Sequence, residues 1–329
     1  MPKQSCLVFL KAALFKAAFF IAFTLSITAC ESQHVPYAYI TNQLSDNLSV
    51  IDTETQAVIK TIDIGHRPAG IAVSKHGHTA FISNPEGLDI TLLDTTTLNV
   101  TAHIPVGAGP VGIATNHDGS LVYIADWFQH KISVVDSHTQ KIITTIPVGN
   151  SPAGMIVNNQ HLYVANRDDN TVMIIDTKTN QILHTITVGT APFGLALSPD
   201  GKTLYSVNVR SSDVSVININ QAKVTRTINV GSWPYCAVVS PDGQYLYVTN
   251  QDDSTISVID TVNPSIISTI DVGDSPEGID ITPDGKFVYV VNWGDGSVSI
   301  IDTSTQQVTA TIDVGQGSRS FGKFISQSP

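Results

Sequence analysis

The side chains best suited to gripping a ligand are scarce in this chain: three tryptophans, Trp127, Trp233 and Trp293, and five arginines, Arg67, Arg167, Arg210, Arg226 and Arg319. Tryptophan offers a large rigid contact area and arginine a planar fork for anions, so together they equip a recognition surface. Acid–base chemistry would need a carboxylate, an imidazole and a cation in one place. Glu277, His66 and Arg67 form the candidate set, able to polarise a carbonyl and move a proton if the fold brings them together. Asp52, Asp94, Asp136, Asp176, Asp260 and Asp302 recur at like positions, with Asn218 as the variant, which raises metal or acid–base chemistry as a possibility. A zinc-type site needs three or four converging ligands. His76, His117 and His161 stand in turn-like segments and read as solvent-exposed, so no metal and no cofactor is assigned. Nothing basic adjoins Cys236 in sequence to activate its thiol, and it reads as a small space-filling residue.

The elements that must position these residues follow from a repeat. Tyr39-Ile-Thr-Asn42, Phe81-Ile-Ser-Asn84, Tyr123-Ile-Ala-Asp126, Tyr163-Val-Ala-Asn166, Tyr205-Ser-Val-Asn208, Tyr247-Val-Thr-Asn250 and Tyr289-Val-Val-Asn292 start 42, 42, 40, 42, 42 and 42 residues apart. Each continues into an alternating run ending in Asp or Asn, then a second run, Val-Gly and, in most copies, a Pro-containing loop. Period-two alternation bounded by Gly, Pro, Asn and Asp predicts four short antiparallel strands per unit. Seven such units predict an all-β, seven-bladed β-propeller over residues 37–325, with 326–329 as a tail.

This pattern resembles the YVTN-repeat, YncE-like propeller family, and the resemblance covers essentially the whole repeat region. It implies a fold rather than a function, since related propellers carry haem d1, copper chemistry, lactone hydrolysis or no catalysis. No Cys-x-x-Cys-His occurs, which excludes covalent haem attachment. In the family scheme each blade starts with its innermost strand, whereas the first copy here starts on the second strand at Tyr37. The C-terminal Ser320-Phe-Gly-Lys-Phe-Ile325 is the expected missing strand, closing the ring and leaving no open edge.

A residue present in every blade reads as structural, and a residue present once on a shared face reads as a candidate for function. The recurring Asp, followed by Thr in most copies, fits an Asx-type turn. The Asn that ends each second strand, with Asp126 as the variant, is structural too, as is the glycine of Pro-x-Gly, which lets backbones approach near the axis and is replaced by Cys236 after Pro234. Loops leading into each inner strand, and loops joining second to third strands, share one face. That loop face collects Arg67, Trp127, Phe128, Arg167, Phe193, Arg210, Trp233, Tyr235, Glu277, Trp293 and Arg319, the expected ligand-binding set. The opposite, turn face carries Asp-Gly turns at 118–119, 200–201, 242–243 and 284–285.

Residues 1–29 read as a cleaved signal, with Lys3, Lys11 and Lys16 ahead of the apolar run Ala17–Ala29. Leu25-Ser-Ile-Thr-Ala-Cys30 resembles a bacterial lipobox, which implies lipidation at Cys30, a short linker over 30–36, and attachment to the envelope. Glu31, rather than Asp, favours the outer membrane. The ring should then turn its Asp-Gly face towards the membrane.

Charged residues make up only 14%, and the formal charge of −11 deepens to −14 once the three N-terminal lysines are lost. That acidity disfavours nucleic acid over the surface as a whole. The expected function is a lipid-anchored, non-catalytic binding or scaffolding propeller, with an unknown protein or small polar ligand as partner and a monomeric state. A lactonase or lyase using His66, Arg67 and Glu277, and single-stranded DNA binding by stacking on the tryptophans, are the alternatives.

Overall fold

The structure is a computed structural model that describes residues 36–75, 78–158 and 160–327. Cys30, the signal segment and His76 lie outside the described residues. Within them the seven repeats form seven antiparallel sheets arranged as a propeller. Blade 6 is typical: Pro234–Val239, Tyr245–Asn250, Thr255–Asp260 and Ser265–Asp271 pair in chain order from the inner to the outer strand. A single turn of 3₁₀ helix, Arg167–Asp169, interrupts this all-β pattern.

The alternation that defines the repeat is the reason for the core. Tyr39, Phe81, Tyr123, Tyr163, Tyr247 and Tyr289 of the second strands are buried between sheets. Each such side chain contributes roughly 1.5–3 kcal/mol of burial. The recurring polar residues are structural, as their repetition implied. Each of the six aspartates accepts backbone N–H bonds from the residues two and three further on, closing the turn between third and outer strands. Asn250 joins two blades: its amide donates to Thr255 and Ser257, and its Oδ1 accepts the Gly231 N–H from the preceding loop at 3.1 Å. Around the axis the inner strands touch so closely that a Cβ on Gly154 would run into the Phe193 carbonyl, and one on Gly278 into the Arg319 carbonyl.

Closure involves two neighbours rather than one. The C-terminal segment bridges antiparallel to the first blade at Asn42–Ser318 and Ala38–Ile325, with the Tyr39 N–H donating to the Phe324 carbonyl at 2.9 Å. Its short strand Phe321–Lys323 also pairs in parallel with Gly70–Val73 of the second blade. Gly322, at φ +115°, allows that approach, because a Cβ there would meet the Ile71 carbonyl.

Candidate functional site

The loop face gathers many of the predicted residues, but it does so by filling its own centre. The residues that follow the loop prolines meet in one cluster at the ring centre, and this position is small in Ala69, Val111 and Ala153 but large in Phe193, Tyr235 and Glu277, with Cys236 in place of the glycine after Tyr235. Phe321 of the C-terminal strand takes the seventh place. Phe193 and Tyr235 stack with ring centroids 4.2 Å apart, Phe321 meets Phe193 edge-on at 5.4 Å, and Trp127 reaches Phe193 at 6.5 Å. Aromatic contacts of this kind add roughly 0.5–1.5 kcal/mol each beyond area burial. The result is an aromatic plug across the axis.

Charge inside the plug is paired. Arg319 donates from Nε to Glu277 at 2.6 Å and from a terminal nitrogen to the Tyr235 hydroxyl at 2.7 Å, and its guanidinium lies over the Phe321 ring. The second Glu277 oxygen accepts from Gln251 at 2.9 Å. Burial pushes the Glu277 carboxyl up, against the lowering effect of Arg319. The Tyr235 hydroxyl is raised for the same reason, burial. Burial likewise raises the Cys236 thiol, with Glu277 adding to the effect, which makes it a poor nucleophile.

The suggested acid–base set does not form one constellation. His66 faces Asp46 at 3.4 Å on an exposed loop, Arg67 faces Glu86 at 3.5 Å, and Glu277 is committed to Arg319 and Gln251 inside the plug. Of the remaining loop-face residues, Trp293 donates to Gln43 at 3.4 Å, and Arg167 pairs with Asp168 at 2.9 Å while lying over Trp127. Arg210 is exposed. Phe128 is 70% exposed, on a loop shaped by Asp126, whose carboxylate accepts the Phe128 and Gln129 N–H groups.

Trp233 occupies an unusual backbone position. The residue before the loop proline has positive φ in six blades, and it is Gly109, Ser151, Ala191 and Ser275 in four of them. Arg67 at φ +55° and Trp233 at φ +54° hold the same left-handed geometry with large side chains. Such a conformation costs a non-glycine residue about 1 kcal/mol or more; because six blades share it, it belongs to the repeat, and what sets Arg67 and Trp233 apart is the size of the side chain placed there.

Two features escaped the sequence reading. Asp280 is almost fully buried on the inner strand of blade 7, where Ala72, Ala114, Ile156, Ala196 and Val238 stand in other blades. It accepts the Phe324 and Ile325 N–H groups at 3.0 and 2.9 Å and the Lys323 ammonium at 2.8 Å, so it clasps the closing strand. The same once-only filter that selected Glu277 would have found it. The second feature is an axial cavity of about 550 Å³ below the plug, bordered by turn-face residues including Lys75, His117 and Asp200. No sequence signal marks an empty space.

Residues 155–240 match the family model of the YNCE-like beta-propeller, and residues 234–320 match that of the Cytochrome D1 heme domain. No curated protein matches. Among solved structures, Kuenenia stuttgartiensis hydrazine synthase is 25% identical, with a TM-score of 0.69, over 76% of this chain and 87% of that one. A functionally unknown protein from Desulfotomaculum acetoxidans DSM 771 is 15% identical, with a TM-score of 0.77, over 89% and 99%. The plug residues do not fit a haem at the loop end of the axis, because Phe193, Tyr235 and Phe321 fill the space a macrocycle would need. The 42-residue repeat, the seven-bladed ring built on it and the match over residues 155–240 support the YncE-like β-propeller family for this chain.

Proposed function

We propose that this propeller is a lipid-anchored binding module of the bacterial envelope, which docks a protein partner on its loop face. The observation that carries the reading is Trp233, a large aromatic side chain 40% exposed and held at a left-handed backbone position where other blades place small residues. Trp233 stands two residues before Tyr235 in the plug, and Phe128 follows Trp127 at its other end, so exposed aromatic groups flank a rigid base. Arg210 and Arg67 add directed donors at the rim. Large apolar area with guanidinium groups on a fixed frame is the composition of interface hot spots. Closure of the axis favours a partner that lies across this face over a small ligand held centrally.

The tether is the proposed lipid on Cys30, placing the protein at the outer membrane. The described chain supports a turn-face attachment: the Pro36 carbonyl accepts from the Thr53 N–H and hydroxyl at 3.2 and 2.7 Å, in the turn between third and outer strands. The loop face would then look away from the membrane. The test is crosslinking of the full chain in its native envelope, in wild type and in Trp233→Ser with Arg210→Ala. A captured protein that disappears in the double variant is expected. Capture unchanged by the substitutions overturns the proposal.

A further inference from the structure

We infer that the axial cavity on the turn face is a binding site for an amphipathic monoanion, such as a fatty carboxylate, with its apolar part towards the plug and its head group at Lys75. The cavity is about 550 Å³, within the usual range of roughly 300–1,000 Å³ for small-molecule pockets. Phe193, Cys236 and Phe321 line it towards the plug, and their burial makes that end apolar. Its walls are inner strands of up to six residues, so its length is limited to about 20 Å. Aliphatic side chains such as Ile156 and Val239 line the middle.

The charge at the mouth selects the head group. Asp280 is engaged by Lys323 at 2.8 Å, and Asp200 by Lys202 at 3.5 Å and by the Ser198 hydroxyl at 2.7 Å. On neighbouring turns Asp118 is bonded to Ser120, Asp242 to Ser240, and Asp284 to Lys286. Lys75 lines the cavity, is exposed, and has no ion-pair partner among the described residues. His117 lines the same mouth. An anion placed there meets the Lys75 ammonium in the cavity lining, with the Asp118 and Asp242 carboxylates on neighbouring turns outside that lining, while an apolar chain behind it leaves water. A cation or a neutral head gains only the second effect.

Calorimetric titration of the full chain with dodecanoate, dodecan-1-ol and dodecyltrimethylammonium, each below its aggregation concentration, tests this. One dodecanoate is expected to bind, at least tenfold tighter than the other two, and Lys75→Gln should remove that preference. Lys75 also borders a second cavity of about 420 Å³ beside Tyr37 and Ser326. Ala237→Trp, which adds bulk to the axial cavity alone, therefore decides the location and should abolish binding. Val239→Trp replaces it if Ala237→Trp shows no cooperative melt. Equal affinity for the three head groups overturns the inference, as does dodecanoate binding that survives a folded tryptophan variant. Both the second cavity and the apolar N-terminal run would give that last result. Trp233→Ser should leave dodecanoate binding unchanged, so failure here is separate from failure of the loop-face proposal.

Discussion

Replacing Asp280 by alanine should loosen the ring at its closure. The carboxylate satisfies two backbone N–H groups of the closing segment, those of Phe324 and Ile325, in residues that are 0% and 3% exposed, and makes a local contact with the Ile281 N–H of its own strand at 2.9 Å. Each orphaned buried donor costs roughly 1–3 kcal/mol, which places the penalty at about 2–6 kcal/mol. The Lys323 ion pair adds little, because that side chain is 60% exposed and solvent screens it to under about 1 kcal/mol. At about 2 °C per kcal/mol for a chain of this size, the melting temperature should fall by about 4–12 °C. Thermal melts followed by far-ultraviolet circular dichroism, with urea titrations beside them, provide the measurement. Asp280→Asn keeps one acceptor oxygen and should fall between wild type and alanine. Lys323→Met should cost less than about 1 kcal/mol. Two results would refute the reasoning: an Asp280→Ala penalty below about 1 kcal/mol, or a Lys323→Met penalty equal to it, which would assign the clasp to the ion pair instead of the backbone bonds.

Arg319→Met strands a Glu277 carboxylate that is 5% exposed, and should cost about 3–5 kcal/mol by urea denaturation. Adding Glu277→Gln should recover most of that loss, and an additive double variant would contradict the pairing. Acid sensitivity should come partly from the repeated turns. Backbone N–H bonds hold the Asp94, Asp136, Asp176 and Asp260 carboxyls below the usual range, and the Ser304 hydroxyl together with backbone N–H bonds does the same for Asp302. Since the folded values are the lower ones, their contribution is present above the ordinary aspartate value of about 3.9 and is lost as pH falls through the folded values. Asp136→Asn should flatten the acid limb of a stability–pH curve, and an unchanged limb would assign acid sensitivity elsewhere.

The fold was legible because the repeat states it seven times. Spacing of the Tyr-Val-Thr-Asn segments sets the blades, and repetition separates Asp52 and its equivalents from groups available for chemistry. Closure was legible in outline, from the missing first strand, but not its dual pairing with blades 1 and 2. That depends on the left-handed geometry of Gly322 and on where Asp280 points, which are three-dimensional facts. The candidate site was legible as a set and not as an arrangement. Face assignment brought Phe193, Tyr235, Glu277 and Arg319 to one level, yet alternation cannot say whether side chains on one level point outward or meet across an axis. His66 and Arg67 show the same limit, since they share a face with Glu277 and still engage Asp46 and Glu86.

The two ends of the axis divide the kinds of recognition open to the molecule. At the loop end, the Phe193–Tyr235 stack and the Arg319–Glu277 pair consume the central groups that would otherwise hold a small ligand. Recognition there is left to Trp233, Phe128 and Arg210, which suits contact with a broad partner. At the turn end the inner strands leave an open cavity, and Lys75 gives it a sign. The first blade begins at that same end, with Pro36 bonded to Thr53. A lipid tether on Cys30 would therefore set the cavity towards the bilayer and the aromatic surface away from it. A single rigid ring could in this way read an amphipathic molecule from the membrane side and a protein from the other, with the plug keeping the two sites separate.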